Sequence, residues 1–124
     1  MSGFLTTLDC RKVGERRWSL LAPLRYELAP GTVLEAPTGF YTDFASIPRA
    51  LYLTTPPIGN YDAAAVLHDY LYFAQATTRE QADGIFKQAM QDSGVLWYTR
   101  WKMWLAVRLF GGAIWRKYET EKAV

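Results

Sequence analysis

Every helical period in this chain lies after residue 60, and the residues before about 42 read as short extended runs. Arg17-Trp18-Ser19-Leu20-Leu21 and Leu24-Arg25-Tyr26-Glu27-Leu28 are separated by Pro23, which makes them two strands or one bent strand. Ala29-Pro30-Gly31 has the order of a type II turn and leads into a further strand, Thr32-Val33-Leu34-Glu35-Ala36. Val13-Gly14-Glu15 marks an earlier turn. Residues 37–60 are punctuated by Pro37, Gly39, Pro48 and Pro56-Pro57-Ile58-Gly59, so they read as loop with one extended segment near Phe40-Tyr41-Thr42. A helix is expected over 61–74 with Asn60 as its cap. Thr78 and Gln81 form a capping-box pattern that opens a second helix to about Asp92, closed by Ser93-Gly94. A third helix over 97–110 stops at Gly111-Gly112, and a charged tail after Trp115 is expected to fray. Strands first and helices second is the α+β pattern. The expectation is a small N-terminal antiparallel sheet, then a helical hairpin, then a third, Trp-rich helix. It forms one domain over 1–124, strand-rich over 1–47 and helical over 61–115, with a tail over 116–124.

Half of the 124 residues are hydrophobic and 15% are aromatic, enough for one packed core rather than a disordered chain. A net charge of +2 gives no reason to expect nucleic acid as a partner. The single cysteine, Cys10, excludes an internal disulfide framework and a cysteine-based zinc site. No glycine-rich phosphate loop stands between a strand and a helix, which argues against nucleotide chemistry. The longest apolar stretch, 103–115, is interrupted by Arg108 and Gly111-Gly112 and is too short to span a bilayer, so no transmembrane segment is expected. No signal-peptide pattern opens the chain, which places it in the cytoplasm when synthesised.

The chemistry concentrates in the helix pair. Tyr61, Ala65, His68 and Tyr72 share one stripe of the first helix, and Asp69 stands about 100° round from His68. With the turn centred near Ala76, His68 and Asp83 come within about 2 Å of the same height in an antiparallel hairpin. At the usual interaxial distance of about 8–10 Å, Asp83 then reaches His68 or Tyr72. This is a general base held in one tautomer by a buried aspartate, with Tyr72 closing the network. Asp69 is left adjacent and free to bind something, as one ligand of an oxygen-preferring cation such as Ca2+. The alternative is a hydrogen-bond network that only holds the helices together.

The segment Gly39-Phe40-Tyr41-Thr42-Asp43-Phe44-Ala45-Ser46-Ile47-Pro48-Arg49 sets polar groups between apolar anchors. Asp43 and Ser46 are placed for a local side-chain turn. The same mixture serves a site: Thr42 and Ser46 as polar contacts, Asp43 as a metal ligand beside Asp69, and Arg49 as the holder of a phosphate or carboxylate. In the third helix Trp97, Tyr98, Trp101 and Trp104, with Trp115 beyond, interleave with Arg100, Lys102, Arg108, Arg116 and Lys117 without forming a clean basic face. That composition fits a core helix with cationic side chains reaching over aromatic rings, or a subunit or membrane contact.

Two resemblances follow from these motifs. His68-Asp69-x-x-Tyr72, with Ala82-Asp83-x-x-Phe86 on the next helix, resembles the catalytic helix pair of phospholipases A2, nearest the disulfide-free type of parvovirus capsid proteins. The resemblance implies that His68 activates water, Asp69 binds calcium, Asp83 orients His68 and Tyr72 bonds Asp83. It covers about 30 residues, and the glycine-rich calcium loop of those enzymes has no counterpart in Pro48-Arg49-Ala50-Leu51 or Pro56-Pro57-Ile58-Gly59-Asn60. The combination of the 39–49 run, His68-Asp69-Tyr70-Leu71-Tyr72, Ala82-Asp83-x-x-Phe86 and Val107-Arg108-Leu109-Phe110-Gly111 resembles domain-of-unknown-function family 1353 of bacteriophages and prophages, over roughly residues 20–115.

Three functional expectations result. The first is a phage hydrolase of the phospholipase A2 kind, acting on a phospholipid or cell-envelope substrate with His68, Asp83 and Tyr72 as catalytic set and Asp69 and Asp43 for Ca2+. The second is a non-catalytic virion or tail-assembly component, associated with a phage structural protein, in which the same residues form a structural network. The third is an inhibitor or adaptor acting on a host protein, whose first support is an exposed tryptophan patch.

Overall fold

The computed structural model describes residues 2–14, 17–42 and 61–122. The strands are β1 Gly3–Phe4, β2 Cys10–Gly14, β3 Arg17–Leu20, β4 Leu24–Ala29, β5 Thr32–Ala36 and β6 Tyr41–Thr42. They divide into two antiparallel sheets of three, in the orders β1-β4-β5 and β2-β3-β6. Expectation had one sheet. Leu20 and Leu24, buried at the ends of β3 and β4, are joined through a bend at Leu21-Ala22 and Pro23, and there the chain passes into the other sheet rather than bending one strand. Gly31 has φ +81°, the left-handed geometry that the turn between β4 and β5 requires.

Among the described residues four helices follow: α1 Asp62–Ala74, α2 Arg79–Asp92, α3 Trp97–Phe110 and α4 Gly112–Lys122. The fold is α+β, as the sequence indicates. The N-cap of α1 is Tyr61 without a side-chain bond, not Asn60, which lies outside the described residues. The capping box of α2 is present: Thr78 Oγ1 accepts from Gln81 N–H at 3.1 Å and Gln81 Oε1 from Thr78 N–H at 2.9 Å.

α1 is the central element. Ala63 through Asp69 are all buried, and α1 packs against α2, α4, β5 and β6. Three successive alanines let neighbouring backbones approach closely, and Leu20, Leu24, Tyr26, Phe86, Met90 and Met103 complete the core around them. The segment expected to fray is instead α4. Ile114, Trp115 and Tyr118 recur at three- and four-residue spacing and pack on the core, so the tail has an apolar face to bury. Among the described residues, no helix is long and apolar enough to cross a membrane.

Candidate functional site

α1 and α2 bring His68, Tyr72 and Asp83 together as their spacing requires. His68 Nε2 lies 2.7 Å from Asp83 Oδ1, and Tyr72 donates its hydroxyl to the same oxygen at 2.7 Å. Arg108 of α3 donates from Nη1 to Asp83 Oδ2 at 2.8 Å. His68, Tyr72 and Asp83 have no exposed surface, whereas the Arg108 side chain is 28% exposed. The imidazole is clamped between rings, with centroids 4.3 Å from Tyr72 and 4.6 Å from Phe86.

The protonation states follow from this geometry. Burial lowers the His68 pKa below 6.5 against the opposing pull of Asp83. Burial alone would raise the Asp83 pKa, but the hydrogen bonds it accepts from His68, Tyr72 and Arg108 lower it. Burial, reinforced by Asp83, raises that of the Tyr72 phenol. At neutral pH the pair is therefore a neutral imidazole and a carboxylate. The carboxylate accepts, so Nε2 carries the hydrogen and Nδ1 holds the ring's lone pair.

Two arginines that the sequence reading did not assign to the site close it. Arg79 donates from Nε to the Tyr72 hydroxyl at 3.2 Å, and from Nη2 to the carbonyls of Val107 and Arg108 at 2.9 and 2.6 Å. It thereby satisfies the open end of α3 with a positive charge, where the helix dipole favours one. Arg79 stands four residues before Asp83 on the same helix, a spacing that marks it as a neighbour. Arg108 carried no local signal, because only the tertiary packing of α3 aims it at Asp83. Gly111 is also structural in a specific sense: a Cβ there would stand 2.5 Å from the Tyr72 hydroxyl and 2.5 Å from the Val107 carbonyl oxygen.

Asp69 shares none of these partners and is not free. Thr42 donates to its Oδ2 at 2.8 Å and Tyr118 reaches its Oδ1 at 3.5 Å. Thr42 and Tyr118 also line an open cleft of about 720 Å3 with Arg17, Phe40, Tyr70 and Phe73. Asp43, Ser46 and Arg49 lie outside the described residues. A calcium ion takes about six to eight oxygens. Asp69 supplies one carboxylate, and among the described residues no three His, Cys, Asp or Glu side chains gather into a metal site. The described residues thus do not by themselves assemble the calcium site that the phospholipase resemblance implies.

A family model described as a protein of unknown function (DUF1353) matches residues 18–107. The chain belongs to the DUF1353 family. No curated protein and no solved structure matches it. The DUF1353 match contains Thr42, His68, Asp69, Tyr72, Arg79 and Asp83, whereas Arg108, Gly111 and Tyr118 fall beyond it.

Proposed function

We propose that this DUF1353 protein is a phage-encoded hydrolase of carboxylic esters of phospholipids, with His68 as general base and Asp83 as the group that orients it. One observation carries the reading: Asp83 Oδ1 receives both His68 Nε2 and the Tyr72 hydroxyl at 2.7 Å, a contact that favours the Nε2–H tautomer with the lone pair on Nδ1. His68 Nδ1 takes a proton from water while the water oxygen attacks the ester carbonyl carbon. The tetrahedral intermediate collapses as the imidazolium returns that proton to the leaving alkoxide, giving a fatty acid and a lysophospholipid. Asp83 stabilises the transient imidazolium, and the lowered His68 pKa keeps the base unprotonated at neutral pH. The cleft walled by Phe40, Tyr70 and Phe73, which meets Asp69 only through its lining residues Thr42 and Tyr118, has the apolar character an acyl chain needs.

The test is fatty-acid release from mixed phospholipid vesicles, with calcium and with chelator, by wild type, His68→Gln and Asp83→Asn. The expected result is release by wild type that falls at least 100-fold in His68→Gln, while its melting temperature stays within a few degrees. Absence of release by wild type in every condition overturns the reading.

The complete burial of His68 and Asp83 favours a second reading, a non-catalytic assembly component in which the network is structural. There His68→Gln lowers the melting temperature sharply, no ester is cleaved, and the protein co-purifies with phage particles.

A further inference from the structure

The outer face of α3 is as apolar as its inner one. Thr99, Met103, Ala106 and Val107 are buried against the protein. On the other side Trp97, Trp101, Leu105 and Leu109 follow one another at four-residue steps, 66%, 49%, 50% and 65% exposed, with Tyr98 beside them. These side chains occupy an arc of about 120° and a length of about 18 Å. Arg108 falls within that arc by position, but its guanidinium turns inward to Asp83. A helix apolar all round is ordinarily buried, and a contiguous exposed apolar patch marks a contact surface.

We infer that this outer face of α3 docks on an anionic phospholipid surface, with Trp97 and Trp101 as its interfacial anchors. Charge selects this occupant. Lys102 is an exposed cation at the edge of this face, and α3 contains no acidic residue. Lys87 of α2 adds its ammonium 3.7 Å from the Trp101 ring centroid and 4.9 Å from that of Trp104. Aromatic and leucine side chains edged by lysines match the headgroup boundary of an anionic leaflet, where tryptophan sits at headgroup depth. Size selects against a second copy. Trp97, Tyr98, Trp101, Leu105 and Leu109 are few beside the roughly 20–30 residues each side of a standard protein interface supplies. A bilayer needs no complementary relief and accepts a single helix lying in its plane.

The docking is measured independently of hydrolysis, by co-sedimentation with vesicles of ether-linked phosphatidylglycerol and phosphatidylcholine, which contain no cleavable ester. Wild type is expected to bind vesicles rich in phosphatidylglycerol, to bind pure phosphatidylcholine at least tenfold more weakly, and to be released by salt. Trp97→Ser with Trp101→Ser, and separately Leu109→Gln, should weaken binding at least tenfold without changing the circular dichroism spectrum. Lys102→Glu should weaken only the anionic component. The proposal is overturned if wild type does not sediment with anionic vesicles, if these variants bind as wild type does, or if they instead abolish a concentration-dependent dimer seen by sedimentation velocity. Because the lipids are uncleavable, failure of the hydrolase reading leaves the outcome intact, and the reverse holds as well.

Discussion

Asp83 is the residue on which three helices converge: α1 reaches it through His68 and Tyr72, α3 through Arg108, and α2 carries it. Its pKa and that of His68 are both lowered, and this sets the response to acid. As the pH falls below 6.5, the unfolded chain protonates its histidine while the folded one does not. Stability therefore drops, by up to about 1.4 kcal/mol per pH unit for that proton. Below about 4 the unfolded form of Asp83 takes up a proton as well, and the loss steepens. Melting temperatures between pH 8 and 5 should decline in wild type and stay nearly level in His68→Gln; equal declines would show that another group titrates. Gly111 supplies a steric prediction. The Cβ of Gly111→Ala collides with the Tyr72 hydroxyl and must push it from Asp83, although φ of –74° would admit alanine. Overpacking of this kind costs about 1–3 kcal/mol. Urea unfolding of Gly111→Ala should show that loss, and Tyr72→Phe in the same chain should recover part of it by removing the clashing oxygen.

The elements show what a linear sequence can carry. The α1–α2 hairpin was legible because its information is local: the Thr78–Gln81 capping box fixes where α2 starts, and the rise per residue then sets His68 level with Asp83. The turn at Pro30-Gly31 and the strands on either side were legible for the same reason. The division into two sheets was not, since β1 pairs with β4 and β6 with β3 across stretches of chain that no short-range pattern links. Nor was α4. Gly111 and Gly112 carry the usual signature of a helix end, but Gly111 has φ –74° and ψ –14°, so the backbone stays right-handed and a new helix begins at once. Two apolar faces on α3 hid its orientation, because either face alone would have served as the buried one. The site divides along the same line. His68, Tyr72 and Asp83 come from neighbouring helices, whereas Arg108 and Tyr118 arrive only by tertiary packing.

At the scale of the molecule, the strand half and the helix half are joined by polar ties around an apolar core. Tyr26 of β4 donates to Asp92 at the end of α2 at 2.5 Å, and burial with that carboxylate pushes its phenol up to about 12. Gln88 donates to the Leu28 carbonyl at 3.2 Å, and Thr42 ties β6 to Asp69. α4 closes the arrangement from the other side. Trp115 sets its ring edge-on to Tyr72 at 5.1 Å, and its carbonyl accepts from Gln75, the left-handed residue that ends α1. A fraying tail would contribute almost nothing to stability, whereas a docked helix belongs to the cooperative unit. Trp115→Ala separates the two. It leaves a void beside the Tyr72 ring, and for a half-buried tryptophan the expected cost is about 2–3 kcal/mol, below that of full burial. The urea midpoint should fall with an unchanged slope, because the folded and unfolded surfaces differ little from those of wild type. Combining Trp115→Ala with Tyr72→Phe isolates their coupling, expected near 1 kcal/mol for an edge-on aromatic pair. A loss under about 0.5 kcal/mol for Trp115→Ala would mean that α4 lies outside the cooperative unit and that Tyr72 is held by Asp83 and Arg79 alone.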